Sequence, residues 1–272
     1  MSPAPLLLAD LYLYPVKSLG GFWVPSAEVQ GRGFRHDRRW LVVDAAGQFM
    51  TQRTTPAMAL LHLELAHNGF IIRHISRPEL KALLVPFEPT GTRTQFVTVW
   101  DDMVFAVRGT LEQDQWLSEA LGQSCRLVFM PDVALRSADG GEAPGLVSFA
   151  DAFPFLLIGQ ASLDDLNRRL EHPLPMNRFR PNLVVSGAAP YAEDSWQDFR
   201  IGELTFRGVR PCARCVMTTT DQLTAERSVE PLRTLAEYRK VGSKVLFGLN
   251  VVGPGAGTLH VGDPVRVLDA EA

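Results

Sequence analysis

Apolar and polar positions alternate with a period of two along much of the chain, the spacing of strands that bury one face. Leu11 and Leu13 alternate with Tyr12 and Tyr14 within residues 6–18. Pro15 ends that run, because a strand interior does not accept proline, so Lys17 and Ser18 fall on a loop at the strand's end. Three hairpins follow. Arg38-Arg39-Trp40-Leu41-Val42-Val43 and Gln48-Phe49-Met50-Thr51-Gln52-Arg53 bracket the turn Asp44-Ala45-Ala46-Gly47. Asn68-Gly69, a pair suited to a type I′ turn, joins Leu63-Glu64-Leu65 to Ile71-Ile72, and Asp101-Asp102 joins residues 95–100 to 103–107. Hairpins this closely spaced predict an antiparallel barrel or sandwich.

Helical periodicity occurs in three places. Thr110 and Gln113 make a capping-box pattern, Leu117 and Leu121 share a face, and Gly122 closes the helix. Ser162 and Asp165 repeat the capping pattern around a stripe of Leu163, Leu166 and Leu170. Pro231 opens a shorter helix with Leu232, Leu235 and Tyr238 on one face. Strand 126–130 leads into the small-residue stretch 137–145, which reads either as a mobile lid or as a disordered connection. The tail alternates strands 245–252, 259–261 and 265–268 with glycine and proline turns.

Composition narrows the class. The 272 residues, 46% hydrophobic and 21% charged, suit one large or two ordinary soluble domains. A net charge of -3 argues against a general nucleic-acid binder. The apolar run Leu6-Leu7-Leu8 has no basic leader and is cut by Asp10, so neither a signal peptide nor a membrane span is predicted, and the cytoplasm is the expected compartment.

The chemistry concentrates in Arg210-Pro211-Cys212-Ala213-Arg214-Cys215, which holds two of the three cysteines. The β-branched residues after Cys215 predict an extended segment rather than the helix that opens at a thioredoxin-like pair. Structural zinc would need further Cys or His ligands at paired spacing, which the chain lacks. Four readings stay open: a redox disulfide, zinc, one thiolate serving a soft metal whose other ligands come with an organic cofactor, and two small buried residues at a strand turn. A second candidate is Asn177-Arg178-Phe179-Arg180-Pro181-Asn182 at the mouth of strand 183–186, where guanidinium groups could cradle an anion.

With these residues in view, the chain resembles the MOSC proteins, named for the C-terminal domain of molybdenum-cofactor sulfurase, and within them the amidoxime-reducing components and their bacterial relatives. The resemblance rests on Tyr14-Pro15-Val16-Lys17-Ser18, Asp37-Arg38-Arg39-Trp40-Leu41-Val42, Pro154-Phe155-Leu156-Leu157-Ile158, Ala161-Ser162-Leu163-Asp164-Asp165-Leu166-Asn167, Phe179-Arg180-Pro181-Asn182, Tyr191-Ala192-Glu193-Asp194-Ser195-Trp196, Cys212-Ala213-Arg214-Cys215 and Val261-Gly262-Asp263-Pro264-Val265, which span nearly the whole chain in order. It implies a mainly β fold with α (α+β), in which two β-barrel-like units carry a few short helices. The N-terminal barrel domain is expected over residues 1–122 and the cofactor-binding MOSC domain over 123–272.

The resemblance also implies a site. Cys215 would be the thiolate on the molybdenum of a molybdopterin cofactor, and Cys212 would not be a ligand. Lys17, Ser18 and Arg38 match positions that hold the pterin and its phosphate, Arg180 a further contact, and Asp151 the acidic position of a cofactor loop whose usual hydroxyls are here Ala152 and Phe153. Asn177, Ala213 and Arg214 are counted with these cofactor contacts. A pterin phosphate carries about two negative charges, for which Lys17, Arg38, Arg180 and Arg214 are the candidate cations. The implied reaction is the two-electron reduction of N-hydroxylated small molecules such as amidoximes and N-hydroxylated bases. The chain lacks the four extra cysteines of a [2Fe–2S] cluster, so no iron–sulfur cluster is expected, and electrons would come from a separate ferredoxin or cytochrome b5 type donor with its reductase. The alternative is a molybdenum cofactor carrier or sulfur-transfer protein bearing a persulfide on Cys215 or Cys212, which would receive its sulfur in trans because there is no room for the sulfurase's pyridoxal-phosphate domain.

Overall fold

The computed structural model describes residues 5–141 and 145–268, so Glu142, Ala143 and Pro144 of the predicted lid stretch lie outside the described residues. The described part of that stretch forms a 3₁₀ turn, Ala138–Gly141. The largest sheet runs in the order Val265–Val267, Asp198–Ile201, Leu204–Ala213, Lys244–Val252, Phe155–Gly159, Leu183–Ser186, Leu7–Leu13, Phe22–Val24. Its neighbours along this path are antiparallel except Phe155–Gly159 and Leu183–Ser186, a parallel pair whose connection contains the helix Gln160–Arg169. A second sheet runs Trp40–Asp44, Cys125–Phe129, Asp102–Arg108, Thr94–Val99, and a third is the meander Leu61–Ala66, Gly69–His74, Leu83–Pro86.

The α+β class is as expected, but the sheets are open rather than closed barrels: each ladder among the described residues ends in two edge strands. The physical reason is an exchange of strands along the chain. Leu7–Leu13 and Phe22–Val24 leave the N-terminal region to extend the largest sheet beyond Leu183–Ser186, and Ser26–Gln30 pairs with Ala256–His260. In the other direction, Cys125–Phe129 pairs with Trp40–Asp44 and Asp102–Arg108. The core follows the pairing: Leu8, Leu11, Phe34, Phe155, Leu183, Phe199, Phe206 and Leu249 form one buried cluster drawn from both ends of the chain. Among the described residues no helix is long and apolar enough to cross a membrane.

Local chemistry accounts for most elements and for the departures. The helix Leu111–Leu121 has the reciprocal Thr110–Gln113 capping box and ends on Gly122 at φ 66°. The helix Gln160–Arg169 starts two residues before Ser162, whose hydroxyl donates to the Glu193 carboxylate at 2.8 Å instead of capping. Glu193 also accepts from the Gly159 N–H at 3.0 Å, so the cap comes from a distant residue. In the second hairpin Ala66 faces Gly69, which makes His67-Asn68 the turn; neither residue has positive φ, so it is not a type I′ turn. Gly69 is needed instead because a Cβ there would lie 2.1 Å from the Val85 carbonyl oxygen of the next strand. In the third hairpin Val99 faces Asp102, and Trp100 occupies the tip at φ 55°. Gly69→Ala is expected to lower the unfolding free energy by about 1–3 kcal/mol, as overpacking against backbone does; urea unfolding indistinguishable from wild type would show that the strands separate without cost.

Candidate active site

The Cys-x-x-Cys stretch lies where the strand Leu204–Ala213 ends. Pro211 is tolerated there because the pairing with Lys244–Val252 is irregular on either side of it and Asp198–Ile201 reaches only as far as Arg207. Cys215 then precedes a 3₁₀ turn, Val216–Thr219, and not the extended segment expected from the β-branched residues. The Thr218 and Thr219 hydroxyls donate to the Cys215 and Val216 carbonyls, at 3.0 Å and 2.8 Å, which lets threonines sit in a helical turn. All three cysteines are free thiols.

Beside Cys215 opens a cavity of about 570 Å³. Lys17, Ser18, Arg38, Asp151, Arg180, Ala213, Arg214 and Cys215 all line it, so eight of the nine expected site residues, from five separate stretches of sequence, converge on one space. Asn177 does not. It sits on the 3₁₀ turn Met176–Arg178, where one residue turns the side chain by about 120°, and it lines a smaller cavity of about 270 Å³ with Tyr12 and His62. Asn182 takes the polar position in the main cavity, its Oδ1 accepting from Arg38 Nη1 at 2.9 Å.

The backbone is strained where the site is built. Among the described residues eight that are not glycine have positive φ, and five of them line this cavity: Ser18, Arg38, Trp100, Asp139 and Arg180. Such conformations persist only where surrounding contacts over-determine them. Here the contacts are stacked cations. The Arg38 and Arg180 guanidinium groups both stack on the Tyr14 ring, each 4.3 Å from its centre. Arg180 is only 7% exposed and donates to the Leu19 carbonyl at 2.5 Å; burial pushes its guanidinium down to about 10.

Two residues that the sequence left unmarked complete the wall. Arg53 was expected within a hairpin strand, but that arm pairs with its partner only through Val43 and Phe49, and the chain then turns at Thr51, carrying Arg53 over the cavity. Its Nε donates to Cys215 Sγ at 3.4 Å, its Nη2 binds Asp151, and its guanidinium stacks 4.9 Å from the Trp100 ring. Arg136, buried, donates to the Ser148, Ala150 and Asp151 carbonyls and to Asp102 Oδ2, clamping the Asp151 loop. No local pattern announces either arginine, since each is an isolated cation whose partners lie far off in sequence.

Electrostatically the cavity is basic. Seven cations line it (Lys17, Arg38, Arg53, Arg136, Arg178, Arg180 and Arg214) against the carboxylates of Asp101, Asp102, Asp139 and Asp151. Asp151 is the junction: Lys17 Nζ donates to its Oδ1 at 2.5 Å while Arg53 binds its Oδ2. Burial alone would raise the Asp151 carboxyl, and the two cations overcome that and hold it well below the usual carboxylate range. The Arg53 Nη1 and Arg214 Nε atoms are buried without a hydrogen-bond partner among the described residues. Buried guanidinium donors left open beside a basic cavity suit an anionic occupant.

Two family models match the chain. The model of the MOSC N-terminal beta barrel domain matches residues 6–124 and that of the MOSC domain matches residues 144–266. The chain belongs to the MOSC family. It is 37% identical over 282 residues to mitochondrial amidoxime-reducing component 1 of Mus musculus, covering 96% of this chain and 82% of that protein. The Homo sapiens protein of the same name is 36% identical with the same coverage. Molybdenum cofactor sulfurase of Oryza sativa subsp. japonica is 34% identical over 265 residues, 89% of this chain but 32% of the sulfurase.

Asp151→Asn is expected to cost roughly 1–2 kcal/mol at pH 7, less than a fully buried pair because the carboxylate is 43% exposed. Since Asp151 is held low in the folded chain, its contribution is present above about pH 4 and is lost as pH falls below that. Urea unfolding at pH 7 and pH 3 should therefore show the gap between variant and wild type narrowing in acid; an equal gap at both would mean that the ionised carboxylate is not what stabilises the junction.

Proposed function

We propose that the protein is a molybdenum-pterin oxidoreductase that reduces N-hydroxylated small molecules, amidoximes and N-hydroxylated bases among them, using electrons from a separate ferredoxin or cytochrome b5 type protein. The observation that carries this reading is Cys215, a soft sulfur donor that lines a basic cavity together with Cys212 and is hydrogen-bonded by Arg53. Among the described residues no group of three or more His, Cys, Asp or Glu side chains gathers to hold a metal. A metal at Cys215 would thus draw its other ligands from the cofactor, as a pterin dithiolene provides. The relatives named for amidoxime reduction and for molybdenum cofactor sulfuration support the same cofactor class.

The residues fit the group. When bound, the molybdenum centre supplies two-electron redox chemistry that side chains lack. Lys17, Arg38, Arg180 and Arg214 would offer donors to the pterin and its phosphate, and the Tyr14 ring stacks on the Arg38 and Arg180 guanidinium groups. Arg53, whose Nε donates to the Cys215 sulfur, would orient that sulfur. The Trp100 ring, 45% exposed at the cavity rim, and Phe153, against which Arg210 stacks, shape the opening through which a small planar substrate enters.

Molybdenum and pterin content of purified wild type beside Cys215→Ser, together with benzamidoxime reduction, tests the reading. Wild type should carry near-stoichiometric molybdenum; the variant should keep its fold and pterin yet reduce benzamidoxime at least about 100-fold more slowly. A carrier or persulfide protein would instead show no reductase activity when loaded, and a variant that keeps full activity would remove Cys215 from the site.

A further inference from the structure

The two thiols of the Cys-x-x-Cys stretch do not share a cation. Arg214, close to both in sequence, donates from Nη1 to Cys212 Sγ at 3.2 Å and from Nη2 to the Phe179 carbonyl at 2.7 Å. Cys215 instead receives Arg53 Nε at 3.4 Å, from 162 residues away along the chain. A long-range contact of this kind has a fixed geometry only where the arginine is held independently of the sulfur, and Arg53 is. Its backbone N–H donates to Thr51 Oγ1 at 3.1 Å, and its carbonyl accepts from Arg227 Nη2 at 2.7 Å. Gln52, just before it, is fully buried and donates to the Ser18 carbonyl at 2.8 Å. Beyond the backbone, Nη2 binds Asp151 and the guanidinium plane stacks 4.9 Å from the Trp100 ring. A planar guanidinium gripped by a carboxylate and a ring has little freedom left, so Nε is aimed at the sulfur.

We propose that Arg53 is a positioning residue that sets the reduction potential of the bound centre through its hydrogen bond to Cys215; the assignment rests on the reading of Cys215 as the metal's thiolate. Electrons delivered to a metal site place more negative charge on its sulfur ligand. A donor carrying a full positive charge favours that electron-rich state over the electron-poor one. Hydrogen bonds to ligating sulfurs are one of the levers by which proteins shift such potentials. Arg53 therefore raises the potential and eases electron delivery to the site.

The surroundings keep that effect from being cancelled. The Arg53 side chain is 20% exposed, so little water screens its charge. Asp151 is shared with Lys17 and does not neutralise Arg53 alone. Nor is the arginine needed merely to brace the Asp151 loop, because Arg136 already holds the Ser148, Ala150 and Asp151 carbonyls of that loop.

Redox titration of the purified holoprotein, followed by the absorption of the bound centre, tests the assignment beside molybdenum and pterin content. Arg53→Leu removes both donor and charge, and Arg53→Gln keeps an N–H donor without the charge. Both variants should retain molybdenum and pterin. The midpoint potential should fall below that of wild type in both, and further in Arg53→Leu than in Arg53→Gln. An unshifted midpoint in an Arg53→Leu chain that keeps its metal overturns the assignment, and so does loss of pterin from both variants, which would make Arg53 a cofactor-holding residue. A wild type without molybdenum removes the thiolate reading of Cys215 and this assignment with it. A wild type that carries molybdenum and shows these shifts but leaves benzamidoxime untouched defeats the reductase reading alone.

Discussion

One carboxylate ties the site together. Asp151 binds Lys17 through one oxygen and Arg53 through the other, and Arg53 reaches on to Cys215. Residues 17, 53, 151 and 215 come from four separate stretches of the chain, and without this junction nothing would oblige two cations to stay so near each other and a sulfur atom. The arrangement is favourable only because the carboxylate remains ionised, which the cations themselves ensure against the cost of burial. Arg136 supports it from behind by holding the backbone of the same loop.

The strand exchange makes this convergence possible. Leu7–Leu13 crosses to pair with Leu183–Ser186, so the loop that follows it delivers Lys17 and Ser18 beside Arg180 and Asn182, which lead into that partner strand. Trp40–Asp44 stays with the other sheet and brings Arg38 in from the far side. The site thus occupies the seam between the two sheets, where loops leave both. Binding residues on loops held by a rigid frame are what such a seam provides, and the positive φ values of Ser18, Arg38 and Arg180 record how closely the frame constrains them.

Net positive charge in an enclosed space has a cost that folding alone does not recover. Among the described residues Arg180 is buried with one backbone carbonyl, a tyrosine face and no carboxylate partner, and Arg53 and Arg214 each keep an open buried N–H. A monomer built for stability alone would have paired or exposed these groups. An anionic occupant supplies the missing partners, so a loaded chain should be more stable than an empty one by mass action. The cations differ in their partners: Asp151 faces Lys17 and Arg53, and Asp37 faces Arg38, whereas Arg180 and Arg214 form no ion pair among the described residues.

How much of this was legible beforehand depended on distance along the chain. Alternation, the Thr110–Gln113 capping box, Gly122 and the Leu163–Leu166 stripe are local or near-local patterns, and each has its expected place in the fold. Turn position was less secure, because the pairing register and not the Asn68-Gly69 dipeptide decided which two residues turn. Ser162 does not cap because a distant carboxylate, Glu193, takes its hydroxyl; Cys215 is followed by a local 3₁₀ turn and not an extended segment; and Asn177, on another 3₁₀ turn, lines the smaller cavity. The residue types alone determined that the chain holds strands, three helices and a cysteine pair flanked by arginines. Only the tertiary structure decided that Arg53 and Arg136 belong to the site and that Lys17 faces Asp151, because electrostatic partners are chosen by proximity in space, about which sequence separation carries no information.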